Sequence, residues 1–170
     1  IAAGNGLPPS IVILDAGDLS VKKIIPVAGD GGKPSRVSAV YDAAPRKSFI
    51  IALRDMPELW EISYEDNPRP VPKGLIHNYQ EGLKEGAFDT GPFPVRRIKL
   101  DESMDDFFFD QSYTNAFGAS REGDKGQVVN LNVGRKIAEV ALPGMPHLGS
   151  GITFDYQGRP VLATPHLKEG

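Results

Sequence analysis

The chain has 170 residues, 40% of them hydrophobic and 24% charged, with a formal net charge of −3. That is the make-up of one globular domain or of part of a larger one. It leaves nucleic acid no basic face beyond residues 95–99 (VRRIK), and no apolar run approaches the roughly 20 residues of a membrane span. The lack of cysteine excludes thiol catalysis, disulfides, Cys-ligated zinc and covalent attachment of a c-type haem to this segment.

No secretory leader is visible. The chain opens on IAAGNGLPPS and stops on ATPHLKEG, so both ends read as cuts through a larger protein, and a leader upstream stays open. The first predicted elements are strands over 10–15 (SIVILD) and 20–27 (SVKKIIPV), followed by a Gly-rich loop over 28–37 (AGDGGKPSRV). A hairpin is predicted over 36–53, its first strand ending in Asp42, and then a strand over 58–64 (ELWEISY). Residues 65–95 are polar, rich in Pro and Gly and without clean periodicity, and read as an irregular insertion. A second hairpin over 104–120 turns at Asp110 and is followed by strands over 126–132 and 134–142. The loop 143–151 (PGMPHLGSG) leads to a third hairpin over 150–165, turning after Asp155.

The recurring unit is an apolar strand ending in Asp, a short turn and a second apolar strand. An Asp at the head of a tight turn accepts from the turn's own amides, which explains the repeat without catalysis. Asp110 and Asp155 lie 45 residues apart, within the roughly 40–50 residues of a propeller blade. Asp42 and Asp110 lie 68 apart, 23 more, an excess that the 65–95 insertion accounts for. Four short antiparallel strands per repeat predict an all-β fold, a β-propeller fragment of half a blade, two full blades and half a blade. A β-sandwich, the competing architecture, leaves the repeated hairpin unexplained.

In such a fold the loops entering each innermost strand converge on one end. Residues 28–37 and 143–151 both occupy that position, which brings Arg36 and His147 towards one axial cavity. Imidazole ligates metals and a guanidinium forks carboxylates, a pairing that suits an anionic, metal-containing ligand such as a haem with its propionates. Gly149 and Gly151 would admit a flat macrocycle close to the backbone, and Met145 and Leu148 would touch its face. A lone loop histidine is, however, more often solvated or hydrogen-bonded than metal-bound. Arg54 and Asp55, ending the second strand of their hairpin, either face a ligand or pair with each other. His166 reads as structural, His77 as surface decoration and Trp60 as packing core. The acidic run Asp101, Glu102, Asp105 and Asp106 lacks the spacing of a calcium loop and reads as a solvated turn. No nucleophile elbow or phosphate-binding glycine loop is present.

Taken in order, residues 7–19 (LPPSIVILDAGDL), 35–40 (SRVSAV), 104–110 (MDDFFFD), 145–154 (MPHLGSGITF) and 160–170 (PVLATPHLKEG) resemble the haem d1-binding, eight-bladed propeller of the cytochrome cd1 nitrite reductase family. The likeness covers about three of the eight blades that it implies. The wording of 143–152, 58–64 and 105–110 is most similar to the dihydro-haem d1 dehydrogenase branch, which acts in haem d1 biosynthesis. That resemblance implies a periplasmic protein binding haem d1 or dihydro-haem d1. It would oxidise a propionate to the acrylate, passing electrons to a c-type haem held only in a separate domain. It further implies His147 as axial ligand to the haem iron, Arg36 as an anchor for carboxylates, and a nitrite reductase as haem acceptor. Of the two distal histidines of nitrite reductases, one matches His147 and the other would fall at Phe109, which donates no proton. A divergent nitrite reductase and a non-catalytic haem d1 carrier are the alternatives, and this segment alone is not expected to turn over.

Overall fold

A computed structural model describes residues 1–77, 84–119, 125–141 and 152–163. Three strands open the chain as one antiparallel sheet: β1 (Ala2–Asn5), β2 (Ser10–Leu14) and β3 (Val21–Pro26). A four-stranded sheet follows, in the order β4 (Val37–Ala43), β5 (Ser48–Leu53), β6 (Glu58–Ser63) and β9 (Val95–Lys99). Strands β7 (Val71–His77) and β8 (Lys84–Asp89) pair, among the described residues, only with each other. A second four-stranded meander runs β10 (Asp106–Phe109), β11 (Asn115–Ala119), β12 (Lys125–Asn130) and β13 (Arg135–Ala141). The hairpin of β14 (Ile152–Tyr156) and β15 (Arg159–Ala163) begins the next repeat. No helix of the described residues is long and apolar enough to cross a membrane.

The two four-stranded meanders are the full blades that the repeat predicts, with three differences in detail. The opening part-blade has three strands, because Ala2–Asn5 pairs along β2 from Ile13 to Ser10. The fourth strand of the first full blade is β9, from the basic stretch 95–99, to which the sequence reading assigns no strand. Its alternation puts Ile98 in the core and turns the arginines to carboxylates on β6. The stretch 65–95 also holds the β7–β8 hairpin, so much of it is paired strand rather than irregular chain. Its return leg is pinned to the preceding blade, where the Lys23 ammonium donates to the carbonyls of Pro92 (2.6 Å) and Phe93 (3.3 Å).

Strand β5 explains how the blades stack. Its sequence is apolar at nearly every position because both of its faces are covered. Ile50 and Ala52 pack towards the following blade, in a cluster with Leu59, Ile98, Met104, Phe107 and Val129. Ile51 and Leu53 point the other way, into a cluster with Ile11, Ile13, Ile25, Trp60 and Ile62. Trp60 is buried there, as its place in an apolar strand predicts. The outermost strands β3 and β13 leave Val21, Ile24, Ile137 and Val140 exposed.

The repeated aspartates do not share one role. Asp110 caps its turn as expected, accepting from the amides of Thr114 (2.8 Å) and Asn115 (3.0 Å). Asp42 instead accepts from the Tyr64 hydroxyl at 2.9 Å, and among the described residues no such capping bond is found at Asp155. Common to the three turns is a residue in the left-handed region, namely Lys47, Tyr113 and Gln157. Burial, and then the Asp42 carboxylate, push the Tyr64 phenol up to about 12. The fold therefore favours the protonated phenol, a contribution fully present below about pH 10 and lost as the pH climbs through the folded value. Ultraviolet titration of the full-length protein should show one tyrosine ionising late, and Asp42→Asn should bring that step down. An unchanged titration in the variant would refute the bond.

Candidate functional site

Chain direction sorts the loops onto two ends of the blades. Residues 27–36, 54–57 and 100–105 lie at one end, each leading into β4, β6 or β10. The turns 44–47, 110–114 and 131–134 lie at the other, where the connection from β6 to β9 also leaves and returns. The first end is the one on which ligand-binding loops were expected to converge. The β7–β8 insertion springs from the opposite end.

The converging loops are tied to each other by hydrogen bonds. Leu100 donates its amide to the Pro57 carbonyl (2.8 Å), and the Ser38 hydroxyl donates to the Met104 carbonyl (2.9 Å). Gln127 holds the 100–105 loop from β12, its side-chain amide donating to the Glu102 carbonyl at 2.9 Å. Met56 closes over Gly29 so tightly that a Cβ at that position would collide with its sulfur.

The strongest local construction joins residues 27–36 to 54–57. Arg36 grips the Asp55 carboxylate with both prongs, Nε to Oδ2 at 2.9 Å and Nη2 to Oδ1 at 2.6 Å. The Arg36 backbone amide reaches the same Oδ2 at 2.9 Å. Buried Ser35 donates its hydroxyl to the Arg36 carbonyl (3.0 Å) and accepts from the Asp55 amide (3.0 Å). The Arg54 amide completes the knot on the Arg36 carbonyl at 2.9 Å. The Arg36 hydrogen bonds hold the Asp55 carboxyl well below the usual carboxylate range, and Asp55 in turn raises the Arg36 guanidinium. Asp55 therefore pairs with Arg36 and not with its neighbour Arg54, whose exposed side chain forms no ion pair or hydrogen bond among the described residues.

Behind this end lies a cluster that sequence reasoning missed. Glu58, buried, receives both prongs of Arg97 (2.8 and 2.7 Å) and the Trp60 indole N–H (2.8 Å). Two residues apart on a strand, Glu58 and Trp60 share a face, which was the available signal. Lys136 takes the carboxylate of Asp101, and among the described residues no group of three His, Cys, Asp or Glu side chains could hold a metal.

Of the predicted site residues, Arg36 and Arg54 stand side by side at the converging end. Met145, His147, Leu148 and Gly149 lie outside the described residues, as does His166. His77 closes β7 in the insertion. Phe109 also departs from expectation. It ends β10 beside the 110–114 turn, packed between Phe107 (5.5 Å between centroids) and Tyr113 (5.0 Å), at the end opposite the converging loops. It therefore carries no information about proton delivery there, and the residues leading into β10 at the relevant end are Met104–Asp106.

The family model described as "Cytochrome D1 heme domain" matches residues 1–170. The chain is 40% identical over all 170 residues to the "Dihydro-heme d1 dehydrogenase" of Pseudomonas aeruginosa. It also superposes with a TM-score of 0.79 and 40% identity, over 97% of its length, on the solved structure of "Dihydro-heme d1 dehydrogenase NirN in complex with DHE". The chain spans about 30% of the length of each of these relatives. At that identity the shared fold identifies the stacked meanders as a fragment of a β-propeller.

Proposed function

The chain belongs to the cytochrome D1 heme domain family, and on that premise we propose that it is part of a propeller that binds dihydro-haem d1 and serves its oxidation to haem d1. The observation that carries this reading is the 40% identity over the whole chain to a dihydro-heme d1 dehydrogenase. In the reaction a propionate becomes an acrylate, so two C–H bonds break and two protons and two electrons leave the side chain. The electrons pass to a c-type haem, which has to be bound outside these residues because the chain has no cysteine.

The chemistry of the converging end fits an anionic tetrapyrrole as substrate. Arg54 offers an exposed guanidinium fork, the kind of donor that carboxylates take bidentately, beside Arg36, whose own fork is held by Asp55. His147 is the axial ligand to the substrate's iron in this reading, with Met145 and Leu148 against the macrocycle and Gly149 admitting it close to the backbone. A periplasmic location and a nitrite reductase as acceptor of the finished haem belong to the same proposal.

The test uses the full-length protein, dihydro-haem d1 and an electron acceptor. The expected result is an absorbance change with loss of two hydrogens by mass spectrometry. Binding with an unaltered mass would indicate a carrier, nitric oxide formed from nitrite a reductase, and no uptake a plain interaction propeller. His147→Ala should alter the bound-ligand spectrum and slow turnover on the order of 100-fold, since even outer-shell changes at metal sites cost about 10–100-fold. An unchanged spectrum removes His147 as ligand.

A further inference from the structure

We propose that Arg54 is the residue whose guanidinium receives a carboxylate of the bound tetrapyrrole, and that Arg36 is a positioning residue that fastens two loops of the site. The assignment rests on the haem-binding reading above and divides between two neighbouring arginines a task for which both qualify by type.

Arg36 is already committed. Its Nε and Nη2 both lie on Asp55, at 2.9 and 2.6 Å, and its backbone amide shares the same oxygen. A substrate carboxylate taking that fork would have to displace Asp55, leaving an anion held below the usual carboxylate range without its partner. The pair joins the loop leading into the innermost strand β4 to the turn between β5 and β6, and Ser35 locks both backbones beneath it. Such a construction sets where the neighbouring residue stands.

That neighbour is Arg54. Its backbone is fixed by the bond from its amide to the Arg36 carbonyl (2.9 Å), while its side chain is exposed and unpaired among the described residues. Strand alternation places it on the face shared by Ile50 and Ala52, which is turned towards β10. It thus combines a rigid base, a free fork of donors and a place beside the start of the innermost strand. Lys33, also exposed, stands out on the 28–34 excursion closed by the Ala28–Pro34 bridge, and its ammonium is a point charge without the fork.

The experiment titrates full-length protein with dihydro-haem d1 and with its methyl-esterified form, following absorbance. Arg54→Gln should weaken binding of the free acid about tenfold, the scale of one lost hydrogen bond to a charged group, and leave the ester unaffected. Arg54→Lys should recover part of the loss. Arg36→Gln and Asp55→Asn should lower the thermal midpoint and weaken acid and ester alike. Wild-type affinity for the acid in Arg54→Gln, or a loss confined to the acid in Arg36→Gln, overturns the assignment while leaving haem binding in place. A wild-type protein that takes up neither form overturns both readings.

Discussion

Glu61→Ala will destabilise the full-length protein by about 3–5 kcal/mol, the scale seen when one member of a buried ion network is removed. Glu61 is 8% exposed and lies between two arginines. Arg46 reaches Oε1 (3.0 Å from Nε) and Arg96 reaches Oε2 (3.0 Å from Nη1). Both arginines continue into the next blade. Arg46 donates to Asn132 Oδ1 (2.6 Å) and Arg96 to the Leu131 carbonyl (2.6 Å). Gly134 turns with φ at +68°, and any Cβ there would strike the Arg96 guanidinium. Without the carboxylate, two cations sit at a blade junction with only neutral acceptors. Glu61→Gln keeps one acceptor and should cost less, about 1–3 kcal/mol. The comparison that decides the cause is the double change Glu61→Leu with Arg96→Met. If the penalty of Glu61→Ala comes from stranded charge, the double variant recovers much of it, whereas a loss of mere packing volume would leave it as unstable as the single variant. The denaturant midpoint of the full-length protein is the measurement.

This network also shows where sequence reading runs out. The repeated hairpins were legible because each needs only its own few residues: an apolar strand, a turn, an apolar strand. The unbroken apolar run of β5 made its burial readable in the same way. Glu58, Glu61, Arg96 and Arg97 drew no reading as partners, because they lie 35 to 39 positions apart, across the insertion. Only the pairing of Glu61 with Arg96 on adjacent strands makes the contact, and that register is not written in either segment alone. Strand β1 escaped notice because AAGN carries no strand signal of its own, and β2 recruits it by backbone pairing. At the site, loop order placed Arg36 at the converging end, and it left Arg54 between a ligand and its neighbour Asp55. It did not show that Asp55 answers Arg36, because Asp55 is adjacent in sequence to the other arginine. Phe109 was misplaced for a related reason: an alignment position carries no strand direction, and four residues of β10 separate the two ends of a blade.

Phe107→Ala should be the most damaging change in the apolar interface, costing about 3–5 kcal/mol for a buried phenylalanine. Its ring is 1% exposed and meets Tyr41 edge-on, with centroids 4.8 Å apart at 86°. Tyr41 belongs to β4 and Phe107 to β10, so the contact joins the innermost strands of two blades. Leu59, Ile98, Met104 and Val129 belong to the same buried cluster. Phe108, one residue on, points to the opposite face, where it stacks on Phe117 at 5.3 Å in a cluster that, among the described residues, adds only Ala119. Phe108→Ala should therefore cost distinctly less, although the two side chains are identical. A second readout separates a cavity from general loosening. Burial raises the Tyr41 phenol, with the nearby Asp106 charge adding to it. Opening the Phe107 space to water should bring that phenol back towards the ordinary value of about 10. Phe108→Ala should leave it where it is. If both variants lose the same stability and move Tyr41 alike, the innermost strands are not the hinge on which neighbouring blades are joined.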